Sequence, residues 1–297
     1  MMKQITITTM MVLLCVVSAL AQRQTEIIKK EISFEKADKN NVLYLSNING
    51  SIKVEGYAGS KILVEASKTI KAKTESRLQQ GMSEISVEVI DRYDTMIVYM
   101  KGPCGDFSNK RFGRSDKYGK SQWHYNWNNC HEQYDFVIDY TVKVPYDLNL
   151  YLSTINDGNI NVSGVAATLN THNINGSISL KGIQSRVVAH TINGEVNLDF
   201  DKNPTLDSKF YSLNGDIVAN FKPGLSADMS FKSFNGEFFT NLNAVEHLPM
   251  KMEKTTTRNK KGIEYKLDGK SMMRARNGGV YLDFETFNGD VYVKEIN

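Results

Sequence analysis

One arrangement of apolar and polar positions recurs seven times along the chain: alternating apolar residues, a small polar residue, one apolar residue, Asn-Gly, and alternating apolar residues again. The copies span Leu43–Val54, Leu150–Val162, Leu169–Leu180, Val187–Leu198, Ser208–Ala219, Met229–Thr240 and Leu282–Val293. The second copy carries one extra residue and has Asn156-Asp157-Gly158 in place of Asn-Gly. Alternation with a period of two predicts strands with one buried face on each side of Asn-Gly. From Gly158 to Gly236 the glycines lie 18, 18, 21 and 21 residues apart. A repeat of this length without a helical period predicts an all-β, stacked architecture.

The Asn-Gly pairs allow two such architectures. Asn-Gly is a strong hairpin signal, so a plain antiparallel meander is one interpretation. In the other, each Asn-Gly makes one corner of a coil, and the coils stack into a β-solenoid whose Asn side chains hydrogen-bond from coil to coil. The whole phrase repeats and not only the turn, which favours the β-solenoid. The Asn and Gly residues are then structural.

The apolar residue before each Asn is out of step with the alternation by one position. These residues are Ile48, Ile155, Ile174, Ile192, Leu213, Phe234 and Phe287. A bend or bulge at the preceding small polar residue would return them to the core side. We therefore expect them to be buried.

The regular repeats follow Pro145, so the sequence divides into an N-terminal β region at 22–144 and a repeat β-solenoid at 145–297. The first region contains one copy of the phrase and a short helix candidate at Ala72–Gln80, with Thr74 and Glu75 near its start. Two stretches interrupt the pattern. One is an irregular insertion at 101–134, and the other, at 245–277, predicts a long hairpin or an extra coil.

The first 21 residues are typical of a signal peptide. Lys3 gives a positive start, Ile5–Leu20 form an apolar run, and Ala19-Leu20-Ala21 matches a cleavage site before Gln22. A membrane anchor is the alternative, but about 16 apolar residues are few for a span. No later stretch is apolar enough to cross a bilayer, so we expect an exported protein in the periplasm or on the outer cell surface.

Charge argues against one class of partner, and cysteine content predicts a disulfide. The formal net charge is +3, which gives no support for nucleic-acid binding. Two cysteines remain after residue 21, Cys104 and Cys130, and a pair in an oxidising compartment predicts a disulfide across the insertion. His124 and His131 make a zinc site conceivable, but the spacing matches no zinc module.

The order of these features resembles the DUF4097 family of bacterial β-strand-repeat proteins, often grouped with adhesins. The resemblance rests on the serial Thr/Ser-apolar-Asn-Gly coils, the Tyr-Thr-Val-Lys-Val-Pro step at Tyr140–Pro145, and the ending Arg276–Gly279 before the last copy. It covers the chain after residue 21. It implies a β-helix-like solenoid in the bacterial envelope and carries over no active site. The insertion at 101–134 departs from the family's pattern.

The insertion is the principal candidate for ligand binding. Trp123, Tyr125 and Trp127 alternate, so their rings would face one way in an extended segment. Upstream cations, among them Lys110, Arg111 and Arg114, could add charge-assisted hydrogen bonds. Rings beside cations suit a glycan or an anionic envelope polymer. The alternative is that the insertion caps the open end of the solenoid.

Two further surfaces are weaker candidates. His172 and His190 occupy the same outward position in adjacent coils, close enough to share a metal if other ligands were present. The second is the basic stretch Lys251–Arg276, which could meet lipopolysaccharide, anionic lipid or an acidic partner. A solvated face explains either pattern equally well.

Catalytic patterns are weak in this sequence. Glu195, Asp216 and Glu237 follow Gly in consecutive copies and could form an acidic column, as in a polysaccharide-active β-helix or a calcium site. There is no Gly-rich phosphate loop, nucleophile elbow or His-Glu-x-x-His motif. We therefore expect a non-enzymatic scaffold without cofactor or metal that displays a contact loop. The alternatives are a polysaccharide-active enzyme and an envelope-stress component that binds an envelope protein.

Overall fold

The computed structural model describes residues 22–103, 105–107, 125–127, 133–259 and 262–296. In this part of the chain the fold is all-β with one short helix, α1 (Glu75–Glu84). The first nine strands are β1 (Gln22–Ile32), β2 (Val42–Ser46), β3 (Ile52–Tyr57), β4 (Ile62–Ala72), β5 (Ser86–Arg92), β6 (Thr95–Lys101), β7 (Gly105–Phe107), β8 (Tyr125–Trp127) and β9 (Tyr134–Pro145). The next eight are β10 (Asn149–Thr154), β11 (Ile160–Ser163), β12 (Leu169–Asn173), β13 (Ile178–Ile183), β14 (Val187–Asn193), β15 (Val196–Phe200), β16 (Ser208–Asn214) and β17 (Ile217–Phe221). The last six are β18 (Ala227–Lys232), β19 (Phe238–Thr240), β20 (Val245–Asn259), β21 (Gly262–Ala275), β22 (Val280–Asn288) and β23 (Val291–Glu295).

These strands form two large mixed sheets and one small one. Sheet A has the order β1-β4-β9-β3-β11-β13-β15-β17-β23-β19, and sheet B the order β20-β21-β18-β22-β16-β14-β12-β10-β2-β6-β5. The strands β7 and β8 pair only with each other. Neither large sheet closes on itself.

Each copy of the phrase places its first strand in sheet B and its second in sheet A. Neighbouring copies pair in parallel and in register, as Leu169 does with Val187 and Ile178 with Val196. A meander of hairpins would instead pair neighbours antiparallel, so that interpretation is wrong for the repeats. We call the two strands of one copy a rung.

The rungs do not follow chain order throughout. Strand β22 of the seventh copy pairs with β16 on one side and β18 on the other, and β23 lies between β17 and β19. The seventh copy is therefore inserted between the fifth and the sixth. This return of the chain requires the long segment at 245–277.

That segment forms the predicted long hairpin, from β20 and β21. It is held at its base, where β21 pairs antiparallel with β18 from Ala275–Ala227 to Ser271–Phe231. Arg274 adds a two-point contact to Asp228, with its Nε 2.7 Å and its Nη2 3.1 Å from the carboxylate oxygens. Lys270 lies 2.7 Å from Asp283 and 3.2 Å from Glu285 on β22.

The core lies between the two sheets. The alternating residues predicted to be buried are buried, among them Leu180, Leu198 and Val291, each 0% exposed. Aromatic side chains fill the core as well: Phe200 stacks on Phe221 with ring centroids 4.7 Å apart. Burial of this continuous apolar layer is what orders the rungs, because each copy alone exposes one face of each strand.

Helix α1 and the antiparallel strands β1, β4 and β5 close the N-terminal end of the core. Thr74 caps α1, its side chain accepting a hydrogen bond from the Arg77 amide at 3.4 Å. The side chain of Lys68 is buried below the helix and donates to the carbonyl oxygens of Met82 and Ile85 at 2.9 and 3.0 Å. The predicted helix is thus confirmed, although it starts and ends later than Ala72–Gln80.

The inserted position of the seventh copy has a direct consequence. A chain that ends at Gly279 lacks β22 and β23, so β18 keeps only β21 as a partner, β19 loses β23, and β16 and β17 become edges. We expect the whole of 227–275 to become sensitive to limited proteolysis, mapped by mass spectrometry. Protection of 227–275 in the shortened chain would contradict this arrangement and favour rungs in chain order.

Candidate functional site: the Asn-Gly edge

The asparagines of all seven copies form one continuous ladder along the edge where sheet B passes into sheet A. Each Nδ2 donates to the Oδ1 of the asparagine in the preceding rung, at 2.8–3.1 Å. In spatial order the ladder is Asn49, Asn156, Asn175, Asn193, Asn214, Asn288 and Asn235. Its first member donates to the Phe136 carbonyl at 3.2 Å. The predicted Asn ladder is confirmed.

The small polar residue of each phrase points inward and donates a hydrogen bond to the backbone of the neighbouring rung. Thr191 Oγ1 donates to the Gly176 carbonyl at 2.8 Å, and Ser212 Oγ donates to that of Gly194 at 2.8 Å. Both side chains are buried. These bonds satisfy carbonyl groups that the turn would leave unpaired in an apolar interior.

Glycine is required at the corner because the rungs approach each other there backbone to backbone. At Gly215, φ is +147°, and an added Cβ would lie 2.2 Å from the Gly194 carbonyl oxygen. Any side chain would separate the rungs. The Asn and Gly residues are therefore structural, as the sequence predicted.

From the third copy onward the residue before Asn lies on the outside of this edge, so the expectation that it returns to the core is wrong there; Ile155 of the second copy is half-buried and packs against the core. Phe234, Phe287 and Ile174 are 74%, 44% and 38% exposed, while Ile48 alone is fully buried. The inward position is taken by the small polar residue, which the glycine carbonyl needs as a donor. We call the outward row the apolar ridge; it consists of Ile155, Ile174, Ile192, Leu213, Phe287 and Phe234. The rings of Phe234 and Phe287 stack with centroids 4.8 Å apart.

The carboxylates after Gly form a column beside the ridge, but one residue longer than predicted. Asp290 of the inserted seventh copy lies between Asp216 and Glu237. Asp216 and Asp290 each accept the backbone N–H of the next rung, at 2.8 and 2.9 Å. Asp290 also accepts a hydrogen bond from Tyr292, which raises the pKa of that phenol. Among the described residues no group of three or more His, Cys, Asp or Glu side chains could hold a metal.

The predicted insertion interrupts a rung at this same edge. Strand β6 is parallel to β2 and β9 is parallel to β3, so these two strands form a further rung, in which residues 102–133 stand in place of Asn-Gly. Most of the predicted binding and disulfide residues lie outside the described residues: Trp123, Lys110, Arg111, Arg114, Cys104 and Cys130. Tyr125 and Trp127 lie on β8, which pairs antiparallel with β7.

A cavity of about 650 Å³ opens beside the point where the chain re-enters sheet A. Its lining includes the apolar side chains of Ile48, Ile155 and Val137, together with Lys71 and Asp135. It is continuous with the first residues of the apolar ridge. Sequence reasoning missed this cavity, because its lining comes from β4, from β9 and from two corners of the Asn-Gly edge, which are remote from one another in the chain.

His172 and His190 belong to a row of stacked rings on the outer face of sheet B. Their ring centroids lie 5.7 Å apart, and His190 stacks on Tyr211 at 4.4 Å. A ring nitrogen of His172 is hydrogen-bonded to Asn170 at 2.9 Å. Because ring faces rather than nitrogens meet, this geometry favours packing over a shared metal.

The same outer face is covered near the insertion. Tyr44, Tyr99 and Tyr151 are at most 9% exposed although they point away from the core between the sheets. Burial, and to a lesser extent Tyr151, raises the pKa of Tyr44 well above its usual value.

Part of the basic stretch is already paired within the fold. Lys270, Arg274 and Arg276 contact Asp283, Asp228 and Glu295, respectively. These three cations hold the hairpin to the body and are not available as a free basic surface. Lys251 lies over the ring of Tyr281, 5.2 Å from its centroid.

Comparison with known proteins gives a likeness of fold only. No family model and no curated protein matches the chain. A putative cell adhesion protein from Clostridium sporogenes is 8% identical with a TM-score of 0.42, covering 93% of this chain and 100% of its own. A putative adhesin from Bacteroides fragilis is 12% identical with a TM-score of 0.37, over 91% and 97%. A putative lipid binding protein from Parabacteroides distasonis is 10% identical with a TM-score of 0.26, over 92% and 97%. Scores this low carry no functional argument, and the resemblance to DUF4097 stays a prediction.

None of the described helices has the length and apolar character needed to cross a membrane. Residues 1–21, which carry the predicted signal peptide, lie outside the described residues.

The close approach at the corner predicts a position-specific cost for alanine. Gly215→Ala should lower the free energy of unfolding by about 3 kcal/mol or more, because backbone strain adds to a displaced rung. The matched control is Gly224→Ala, where φ is +93° but nothing lies within 4 Å of the added Cβ. There, strain alone should cost about 1 kcal/mol. Denaturant unfolding measures both, and equal losses would contradict close packing at the corner.

The ion pair at the hairpin base predicts a pH-dependent stability. The hydrogen bond from Arg274 lowers the pKa of Asp228 below its usual value of 3.8. As pH falls below about 4, the unfolded carboxyl binds a proton before the folded one, so the contribution of the pair is lost. The stability difference between the wild type and Asp228→Asn should be full above pH 4 and shrink below it. Thermal unfolding from neutral to acidic pH measures this, with exposed Asp91→Asn as control. A difference that does not change with pH would contradict the assignment.

Proposed function

We propose that this protein is an exported, non-enzymatic binding protein of the cell envelope. Its repeats act as a rigid scaffold of β-solenoid type, one coil per phrase, and its insertion at 101–134 contacts a glycan or an anionic envelope polymer. The observation that carries the proposal is the place of the insertion: it occupies the corner of a rung at which six of the seven phrases have Asn-Gly and the other has Asn-Asp-Gly. Residues in that place do not have to be Asn and Gly to continue the ladder, so their side chains can contact a ligand.

The position of helix α1 supports a binding role over a capping role for the insertion. Leu78 of α1 is buried and packs in the same core cluster as Ile70 and Tyr134. The N-terminal end of the core is thus already covered by α1, β1, β4 and β5. A second cap is unnecessary at this end.

The predicted disulfide fits the same picture. Pairing of Gly105 with Trp127 brings the two ends of the segment 105–127 together. Cys104 and Cys130 stand next to those ends in the sequence. A disulfide there would hold a loop of about 26 residues and reduce the entropy lost when a ligand binds.

The carboxylate column gives no support to the enzymatic alternative. Asp216 and Asp290 accept backbone N–H groups of adjacent rungs, which explains their presence without catalysis. A structural role of this kind also explains why Ser177 and Asn159 can replace them earlier in the column, where they accept the same type of bond at 3.1 and 2.8 Å.

The proposal is tested by a glycan and lipid array. The wild type is compared with a variant carrying Trp123→Ala, Tyr125→Ala and Trp127→Ala, and with Tyr93→Ala as a control at an aromatic residue that is 83% exposed outside the insertion. We expect the wild type and the control to bind. The triple variant should keep its fold but lose at least tenfold in affinity, because three rings that each stack on the ligand would together contribute several kcal/mol to binding.

Two results would count against the proposal. Equal binding by the wild type and a folded triple variant would remove the insertion as the recognition site. Absence of binding by all three chains would favour an envelope protein as the partner, to be sought by crosslinking in the envelope.

A further inference from the structure

The two sheets end at different rungs at the C-terminal end of the stack. Sheet B continues past β18 with β21 and β20, whereas sheet A stops at β19. The far side of β19 pairs with no strand in the part of the chain that the structure describes. An unpaired strand edge presents N–H and C=O groups that another strand can use.

The hairpin extends beyond the Asn-Gly edge. Strand β21 pairs with β18 only from Ser271 to Ala275, and residues before Ser271 continue in the direction in which β18 runs towards Ser233. We call Lys251–Asn259 together with Gly262–Lys270 the arm. Nine residues of extended strand reach about 30 Å at 3.4 Å per residue. Within the described residues, the arm portion of β21 has β20 on one side and no strand on the other.

The apolar ridge has a period that few partners can match. Its five outermost members, Ile174, Ile192, Leu213, Phe287 and Phe234, stand on consecutive rungs, about 4.8 Å apart. A helix laid along the ridge offers side chains about every 5.4 Å and falls out of step within a few rungs. A second copy of the same ridge has the same spacing, so the side chains of the two copies can meet rung by rung along the full length.

We propose that two copies of this chain pair through their Asn-Gly edges, related by a twofold axis parallel to the Asn ladder, and that each arm adds to β19 of the other copy. Rotation about this axis aligns sheet B of one copy with sheet A of the other. The arm lies one rung beyond β18, so it arrives one rung beyond the second copy's β19, where sheet A lacks a strand. Strand β21 is then antiparallel to that β19.

The arrangement of charges favours this axis. It places the column after Gly in one copy opposite the outward column before the corner in the other, rung by rung. Glu237 then faces Lys232 of the second copy, and Asp290 faces its Glu285, whose charge Lys270 and Lys232 offset at 3.2 and 3.7 Å. An axis perpendicular to the ladder would instead bring the two carboxylate columns together, which like charges disfavour.

Interface area indicates that the ridge and the arms are both needed. Five rungs span about 19 Å, so the ridge with its flanks covers roughly 300 Å² per copy, against about 800 Å² per partner in a stable complex. The two arms must supply the remaining area of about 500 Å² per copy. Removal of either contact should therefore abolish pairing.

Sedimentation equilibrium tests the pairing on the protein expressed with its own N-terminal segment, from about 1 to about 200 µM, where an interface of standard size saturates. The ridge variant carries Ile192→Lys and Leu213→Lys. The arm variant lacks residues 254–267 and joins Glu253 to Asp268, which are paired in β20 and β21, through an Asn-Gly turn. The control is Leu206→Lys, an equally apolar residue that is 54% exposed at the opposite corner. Circular dichroism and thermal melting check the folding of each chain.

We expect the wild type and Leu206→Lys to sediment at twice the monomer mass, and both other variants to be at least tenfold weaker or monomeric. A wild type that stays monomeric at the highest concentration overturns the proposal. A dimer that survives in the arm variant overturns it as well, and so does one that survives in a folded ridge variant. Failure of the ridge variant to fold leaves the decision with the arm variant.

Discussion

Backbone contact between successive glycines at the Asn-Gly edge is the constraint on which the rest of this structure depends. Because no side chain fits between Gly215 and Gly194, the rungs can stand at strand spacing, and the adjacent asparagines then come within hydrogen-bond distance of each other. The buried hydroxyl of Ser212 satisfies the glycine carbonyl that this approach would otherwise leave unpaired. Apolar burial between the sheets supplies the driving force, but it fixes only which face points inward. The edge fixes how closely neighbouring rungs approach and how their residues align, and therefore the register.

The same constraint creates the features that distinguish this molecule. The small polar residue takes the inward position at each corner, so the apolar residue after it must face outward, and a ridge of Ile, Leu and Phe results. The rung of β6 and β9 lacks Asn-Gly at this edge, and the arm passes beyond the edge. The close approach of the rungs requires Gly at a ladder corner, whereas segments that leave the ladder carry no such requirement. The proposed ligand contact at 101–134 and the proposed pairing through the arm both use this freedom.

Much of the fold follows from the sequence, since the strands, the parallel ladder and the hairpin are local consequences of period-two alternation, Asn-Gly and long polar segments. The position of Leu282–Val293 does not follow, because the phrase is equally compatible with any neighbouring copy; only the antiparallel contact of β21 with β18 brings it between the fifth and sixth copies. The exposure of Phe234 and Phe287 was predicted wrongly because alternation says nothing about which of two adjacent corner residues the glycine carbonyl requires. Of the candidate site, the column of Glu195, Asp216 and Glu237 was found, but Asp290 was missed for the same topological reason.

The order of the rungs is tested most directly by disulfide mapping. In this structure Asp216 and Asp290, 74 residues apart, stand on adjacent rungs, because the Asp290 amide donates to the Asp216 carboxylate at 2.8 Å. Asp216 and Glu237 stand two rungs apart, beyond the usual Cα–Cα limit of about 7 Å for a disulfide. In the double variant Asp216→Cys with Asp290→Cys, a disulfide between the two new cysteines should form and be identified in the peptide map, and in Asp216→Cys with Glu237→Cys it should not. The reverse result would show that the copies stack in chain order and would contradict the inserted position of the seventh copy.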